Sequence, residues 1–140
     1  MLKKVYLVRH CEAAGQLPEA RLTNKGLKQA LELCEYFSNI KIDQIISSPY
    51  KCETESIKPL ANVLNLDIEI DKKLAERILS SQNHPDWLEK LRKTFDDLDL
   101  KFEGGESSID AMNRIVEVVK KVFKSNNKTT VIVTRGVIFV

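Results

Sequence analysis

Lys4-Val5-Tyr6-Leu7-Val8, followed at once by Arg9-His10-Cys11-Glu12, is the stretch on which the fold turns. The first five residues read as a buried strand that delivers a guanidinium and an imidazole at its carboxyl end. Open α/β sheets bind ligands at that edge. The pair suits an anion, because Arg carries a permanent planar fork of donors and neutral His is a nucleophile. A second strand, Thr129 to Thr134, is β-branched throughout its middle and ends in Arg135-Gly136, with only Val137 to Val140 after it.

Between these two strands the hydrophobic period alternates. Gly15 to Arg21 is turn-like and polar. Thr23 suits the N-cap of a helix whose apolar face is Leu27, Ala30, Leu31, Cys34 and Phe37. Gln44-Ile45-Ile46-Ser47 is a short strand, and Ser48-Pro49 marks a helix start. That helix runs through Thr54 and Ile57 towards Leu64, with a kink or early end expected at Pro59. Asp67 to Ile70 alternates like an edge strand, and Pro85 to Leu98 reads as a helix around Trp87, Leu88, Leu91 and Phe95. Ser107 and Asp110 have capping-box spacing ahead of a helix with Ile109, Met112, Ile115, Val116, Val119 and Phe123 on one face. Ser125 to Lys128 is a turn. Strands alternating with helices in this way predict an α/β fold with a mainly parallel sheet.

Bulk properties narrow the function. At 140 residues the chain is expected to form a single domain, 1–140. The net charge is +2, with no basic block or aromatic-interleaved basic stripe, which argues against nucleic acid as a partner. No apolar run approaches the ~18–20 residues that span a bilayer, so no membrane is expected. The four apolar residues after Lys3-Lys4 are too few for a signal peptide. Cys11, Cys34 and Cys52 make an odd count without C-x-x-C, which fits a reducing cytoplasm rather than a disulfide framework. Cysteine-based phosphatase chemistry fails on spacing, since Leu17, Ile40 and Lys58 stand where C-x₅-R needs Arg. No G-x-G-x-x-G follows the first strand, which excludes a dinucleotide site.

Four places put reactive groups at strand ends or helix starts. They are Arg9-His10, the helix N-terminus at Ser47-Ser48-Pro49 whose free N–H groups suit an anion, Leu74-Ala75-Glu76-Arg77, and the Gly104-Gly105-Glu106-Ser107 loop. Each alone is matched by an ordinary capping, solvated or structural role. Their order is more telling than any one of them. With Leu22-Thr23-Asn24-Lys25-Gly26-Leu27-Lys28-Gln29-Ala30 and Val131-Ile132-Val133-Thr134-Arg135-Gly136, they resemble the histidine phosphatase superfamily, the phosphoglycerate-mutase-like phosphatases, along essentially the whole chain.

The resemblance implies a three-layer α/β/α sandwich and phosphomonoester hydrolysis through a phosphohistidine. On the matching positions His10 is the nucleophile and Arg9 clamps the phosphate. Glu76 first protonates the leaving oxygen and then activates water. No metal or cofactor is implied, and His84, beside Pro85 in a polar loop, reads as a surface residue. The substrate is expected to be a small phosphorylated molecule, chosen by the segments around Gly15 to Arg21 and Ile78 to Trp87. Arg21 and Arg77 read as solvated there, and oligomeric state stays open.

Two departures weaken the site. Family members carry a second phosphate-binding Arg three residues beyond the Pro, where this chain has Cys52. Their last strand ends in Thr/Ser-His-Gly, where this chain has Arg135, whose guanidinium is the remaining candidate for the second phosphate cation. One preorganised donor is worth ~10²–10³ in turnover. A phosphate site that binds anions and turns over poorly is therefore expected. The rivals are a non-catalytic phospholigand-binding pseudophosphatase and a decaying gene product. The resemblance also implies further strand and helix after the last strand, so a C-terminally short member with an uncovered apolar tail at Val137 to Val140 is expected.

Overall fold

Parallel strands need a crossover of a dozen or more residues, and the apolar runs of this chain are spaced to allow it. The computed structural model describes residues 3–15, 19–75 and 85–134. Its strands are β1 (Lys4–Arg9), β2 (Gln44–Ser47), β3 (Ile68–Ile70) and β4 (Thr129–Thr134). They form a four-stranded sheet in the order β1-β4-β2-β3, with every pairing parallel. The helices are α1 (Asn24–Tyr36), α2 (Lys51–Leu64), α3 (Trp87–Asp96) and α4 (Ser108–Lys124), with a 3-10 turn at Lys72–Leu74. The last described strand in sequence is thus inserted between the first two, with a neighbour on each side. Its residues from Thr130 to Thr134 are all buried.

Alternation sorts the strand residues into two cores. Ile45, Val131, Val133, Tyr6 and Val8 face Phe37 and the α2 residues Ile57, Leu60 and Ala61. On the opposite face Ile46, Ile132 and Val5 meet Ile115, Val118 and Val122 of α4, together with Leu74. Helices therefore cover both faces of a mainly parallel sheet, the α/β architecture that the element order predicts.

Several details differ from the sequence reading. β1 is an edge strand rather than a buried one: among the described residues it pairs with β4 alone, and Leu7 is 50% exposed. The buried side of α1 runs through Gly26, Ala30 and Phe37, while Leu27 and Leu31 face out. Glycine decides this rotation, because a Cβ at Gly26 would overlap the carbonyl oxygen of Glu12. The buried stripe of α4 is likewise Ala111, Ile115, Val118 and Val122, leaving Val116 and Phe123 exposed. Both α4 stripes have helical spacing, and the sheet selects the one with the smaller side chains at its start. α2 begins at Lys51, two residues beyond Pro49, and passes through Pro59 without ending. Pro59 forfeits a helical N–H, but burial of Ile57, Leu60 and Ala61 around it holds the helix together. It ends instead at Asn65, in the left-handed conformation. In α3 Leu88 is exposed; the side chains of Trp87, Leu91 and Phe95, and the segment 135–140, lie outside the described residues.

Both sequence-predicted caps are present. Thr23 Oγ1 accepts the Gly26 N–H at 3.0 Å. Ser107 and Asp110 form the full reciprocal box, with Asp110 N donating to Ser107 Oγ at 3.1 Å and Ser107 N to Asp110 Oδ2 at 3.2 Å.

Two outcomes follow from these contacts. Gly26→Ala is expected to destabilise the chain by about 1–3 kcal/mol in urea denaturation, although the same change in an open helix position stabilises. The Ser107 amide, its hydroxyl and then Lys101 hold the Asp110 carboxyl below the usual carboxylate range. A depressed folded-state value gives stability that is present above the unfolded carboxylate range and lost as the pH falls through the folded value. Asp110→Asn is expected to be less stable than wild type at pH 7, with the gap closing under acid in thermal melts.

Candidate active site

The strand register brings the candidate residues to one edge. Arg9 pairs with Thr134, and Val133 is level with both Val8 and Ser47, so β1, β4 and β2 end together. Hydrogen bonds extend the alignment past the strand ends: His10 N donates to Thr134 O at 3.1 Å and Ser48 N to Val133 O at 3.2 Å. His10 is half-buried and Arg9 is exposed at the end of its edge strand.

His10 is oriented by its own backbone. Nδ1 lies 2.6 Å from the carbonyl oxygen of Cys11. A carbonyl only accepts, so Nδ1 carries the proton and the neutral ring keeps its lone pair on Nε2. The loop behind the ring is tied to both neighbouring helices. Cys11 N donates to Ser56 Oγ of α2 at 2.8 Å, and Glu12 N donates to Gln29 Oε1 of α1 at 2.8 Å. Glu12 returns its carbonyl to Thr23 N at 3.0 Å.

Cys52 is fully buried. Its Sγ donates to Glu53 Oε2 at 2.6 Å, and its carbonyl accepts from Ser56 Oγ at 2.6 Å. The thiol at this position therefore points to a carboxylate in the interior. Burial pushes the Cys11 thiol up, against the Ser56 hydrogen bond and with the Glu32 carboxylate adding to the rise. A protonated, buried thiol is a poor nucleophile, which agrees with the failed C-x₅-R spacing.

Ser47-Ser48-Pro49 is a turn rather than a helix start. The Ser48 amide is taken by Val133, and Ser48 Oγ accepts the Tyr50 N–H at 3.3 Å. The Ser48 and Tyr50 N–H groups at the expected anion site thus have internal partners. Arg21 is exposed and pairs loosely with Glu55 at 3.4 Å. Glu76, Arg77, His84 and Arg135 lie outside the described residues. The backbone leading to Glu76 is described up to Ala75, and Thr134 Oγ1 donates to Leu74 O there at 2.8 Å.

The histidine phosphatase superfamily (branch 1) family model matches residues 5–139. The chain belongs to that superfamily. A curated relative of this histidine phosphatase chain, phosphoserine phosphatase 1 of Hydrogenobacter thermophilus, is 30% identical over 156 residues, covering 96% of this chain and 71% of the relative. Among solved structures, mycobacterial glucosyl-3-phosphoglycerate phosphatase superposes with a TM-score of 0.82 at 20% identity, covering 97% of this chain and 75% of that one. The α-ribazole phosphatase of Shigella flexneri gives 0.68 at 17% identity, covering 94% and 73%. These two share the fold.

The side-chain contacts of three residues near the site were not read from the sequence. Ser56 stands in the buried stripe of α2, where a polar residue among Cys52, Ile57 and Leu60 is a visible anomaly. Thr134 stands in the last-strand motif, but nothing in that motif points to the Leu74 carbonyl, and Arg114, which donates to the Lys73 carbonyl, looks like any solvated helix cation.

Thr134→Val keeps the shape but orphans the Leu74 carbonyl, and is expected to cost about 1–3 kcal/mol in urea denaturation. Thr134→Ser, which retains the hydroxyl, is expected to recover most of that loss.

Proposed function

We propose that this chain is a phosphomonoester hydrolase that works through a phosphohistidine on His10, with weakened turnover. The observation that carries the reading is the Nδ1 contact to the Cys11 carbonyl, which leaves Nε2 as the nucleophilic nitrogen at the ligand-binding edge of the sheet. The family supplies the reaction class, and phosphatases acting on phosphoserine and on a phosphoglycerate ester are among its relatives. A small phosphorylated metabolite is the substrate class.

In the first step the Nε2 lone pair attacks phosphorus, the ester P–O bond breaks, and the Glu76 carboxyl gives its proton to the leaving oxygen. In the second, the Glu76 carboxylate takes a proton from water as that water attacks phosphorus. The P–N bond then breaks and inorganic phosphate leaves. Arg9 and Arg135 hold the non-bridging oxygens and offset the charge that builds on them. Both steps balance with side chains of this chain and water alone.

Weak turnover rests on Cys52. A buried thiol directed at Glu53 supplies no cation to a phosphoryl group, where the family pattern has Arg. The same observation favours a second reading, a phospholigand-binding module without catalysis.

An acid-labile adduct at His10 is expected on incubation with an aryl phosphate, and His10→Asn is expected to abolish it. Turnover is expected to rise by ~10² or more in the Cys52→Arg, Arg135→His double variant, with folding checked by circular dichroism. Equal rates in wild type and a folded double variant would overturn weakened turnover. Absence of the adduct, with inorganic phosphate still bound in calorimetry, would replace the hydrolase by the binding module.

A further inference from the structure

The peptide groups that follow His10 are held at different ends. The His10–Cys11 peptide is held at its amide, since Cys11 N donates to Ser56 Oγ of α2 at 2.8 Å. The Glu12–Ala13 peptide is held at its carbonyl, which accepts from Thr23 N at 3.0 Å and leaves no room for a Cβ on Gly26. Between them stands the Cys11–Glu12 peptide, whose carbonyl oxygen lies 2.6 Å from His10 Nδ1.

A trans peptide is planar, and its C=O and N–H point to opposite sides. With both neighbours held, the freedom left to the Cys11–Glu12 plane is rotation about the line joining its two Cα atoms. That rotation takes the carbonyl off Nδ1 and swings the amide with it. The amide end is held by Gln29 of α1, whose Oε1 accepts from Glu12 N at 2.8 Å. Gln29 follows the buried Gly26 by three residues, so the close approach that glycine permits brings its side chain within reach of the loop.

Nδ1–H, the Cys11 carbonyl, the Glu12 amide and the Gln29 carbonyl thus form one relay across a single peptide. Each hydrogen bond polarises the peptide in the sense that strengthens the other. The ring nitrogen that carries the proton is selected by the acceptor it finds, and the relay supplies that acceptor at Nδ1.

We propose that Gln29 is a positioning residue for His10, acting through the Cys11–Glu12 peptide to keep the proton on Nδ1 and the lone pair on Nε2. The inference rests on the reading of His10 as the nucleophile. Its mark is that stability and chemistry separate. Glu12 is exposed, so water takes its amide when Gln29 is truncated and the donor is not orphaned. A mobile water satisfies the donor without fixing the plane.

The test compares wild type with Gln29→Met, which removes the acceptor at similar length and helix propensity, and Gln29→Glu, which restores an acceptor oxygen. Gln29→Ala replaces the Met variant if that one does not fold. The first readout is the pair of imidazole nitrogen-15 shifts of His10 at about pH 8.5, above the ordinary histidine range. Their loss in His10→Asn identifies them. Gln29→Met is expected to lower the ratio of Nδ1–H to Nε2–H tautomer by ~3- to 10-fold, the worth of one net hydrogen bond, with the melting temperature unchanged. Gln29→Glu is expected to keep the wild-type ratio. The second readout is single-turnover phosphorylation of His10 by 2,4-dinitrophenyl phosphate, expected to slow by ~3- to 30-fold in Gln29→Met and to recover in Gln29→Glu. Wild-type shifts in Gln29→Met, the same change in Gln29→Glu, or a changed ratio with unslowed phosphorylation would each overturn the proposal. If wild type forms no adduct, the hydrolase reading fails by itself, and the tautomer ratios alone decide whether Gln29 sets the ring.

Discussion

Thr134 ties together parts of the chain that would otherwise be independent. Its carbonyl accepts the His10 amide, and its hydroxyl donates to the Leu74 carbonyl, two residues before Glu76. The residue is fully buried, so neither bond competes with water. A buried hydrogen bond contributes only about 0.5–1.5 kcal/mol net, but leaving its acceptor unpaired costs more. The importance of Thr134 thus lies less in energy than in geometry, because the His10 amide and the Leu74 carbonyl are both held by one residue of an interior strand. That strand is the last of the described ones in sequence and is inserted between β1 and β2, so the candidate edge is assembled only when β4 docks.

Much of this was legible in the letters, for identifiable reasons. Turn and cap chemistry is local, and the caps at Thr23 and Ser107 form as their spacing predicts. Element type is also local, since the β-branched run of β4 and the helical spacing in α4 depend on nearby residues alone. Which side of a helix is buried is not local. α1 turns Leu27 and Leu31 outward because glycine at position 26 lets it close against the Glu12 carbonyl, and α4 presents Ala111 and Val118 rather than Met112 and Val116. An apolar arc wider than one stripe leaves that choice to the partner surface. Strand order has the same character: nothing within Lys4–Arg9 says that β1 ends at the sheet's edge with Leu7 half exposed.

The site divides along the same line. His10 and Arg9 are placed by a strand and its end, and strands are readable. Ser56, Arg114 and Thr134 act across separations of 45, 39 to 41 and 60 residues, through contacts that no local pattern encodes. Cys52 is instructive because its sequence meaning and its structural meaning differ. As a letter it marks a missing cation. In the fold it is a fully buried member of the cluster with Cys11, Leu22 and Ala30, its thiol aimed at Glu53. The position thus holds a small side chain beside a buried carboxylate, and a guanidinium introduced there must above all find room.

His10 directly follows the least supported strand, and this explains where the loop's many ties come from. Among the described residues β1 has a neighbour on one side only, so the sheet alone constrains His10 weakly. The helices supply the rest. Ser56 holds the Cys11 amide from α2, Gln29 holds the Glu12 amide from α1, and the Glu12 carbonyl is capped by Thr23 while α1 presses against it at Gly26. The Cys11 carbonyl shares a peptide plane with the Glu12 amide that Gln29 holds from α1, while Ser56 of α2 fixes the peptide before it. That carbonyl is thus a braced acceptor for His10 Nδ1, and the orientation of the imidazole is set by side chains of the two flanking helices, through a backbone they hold but do not belong to.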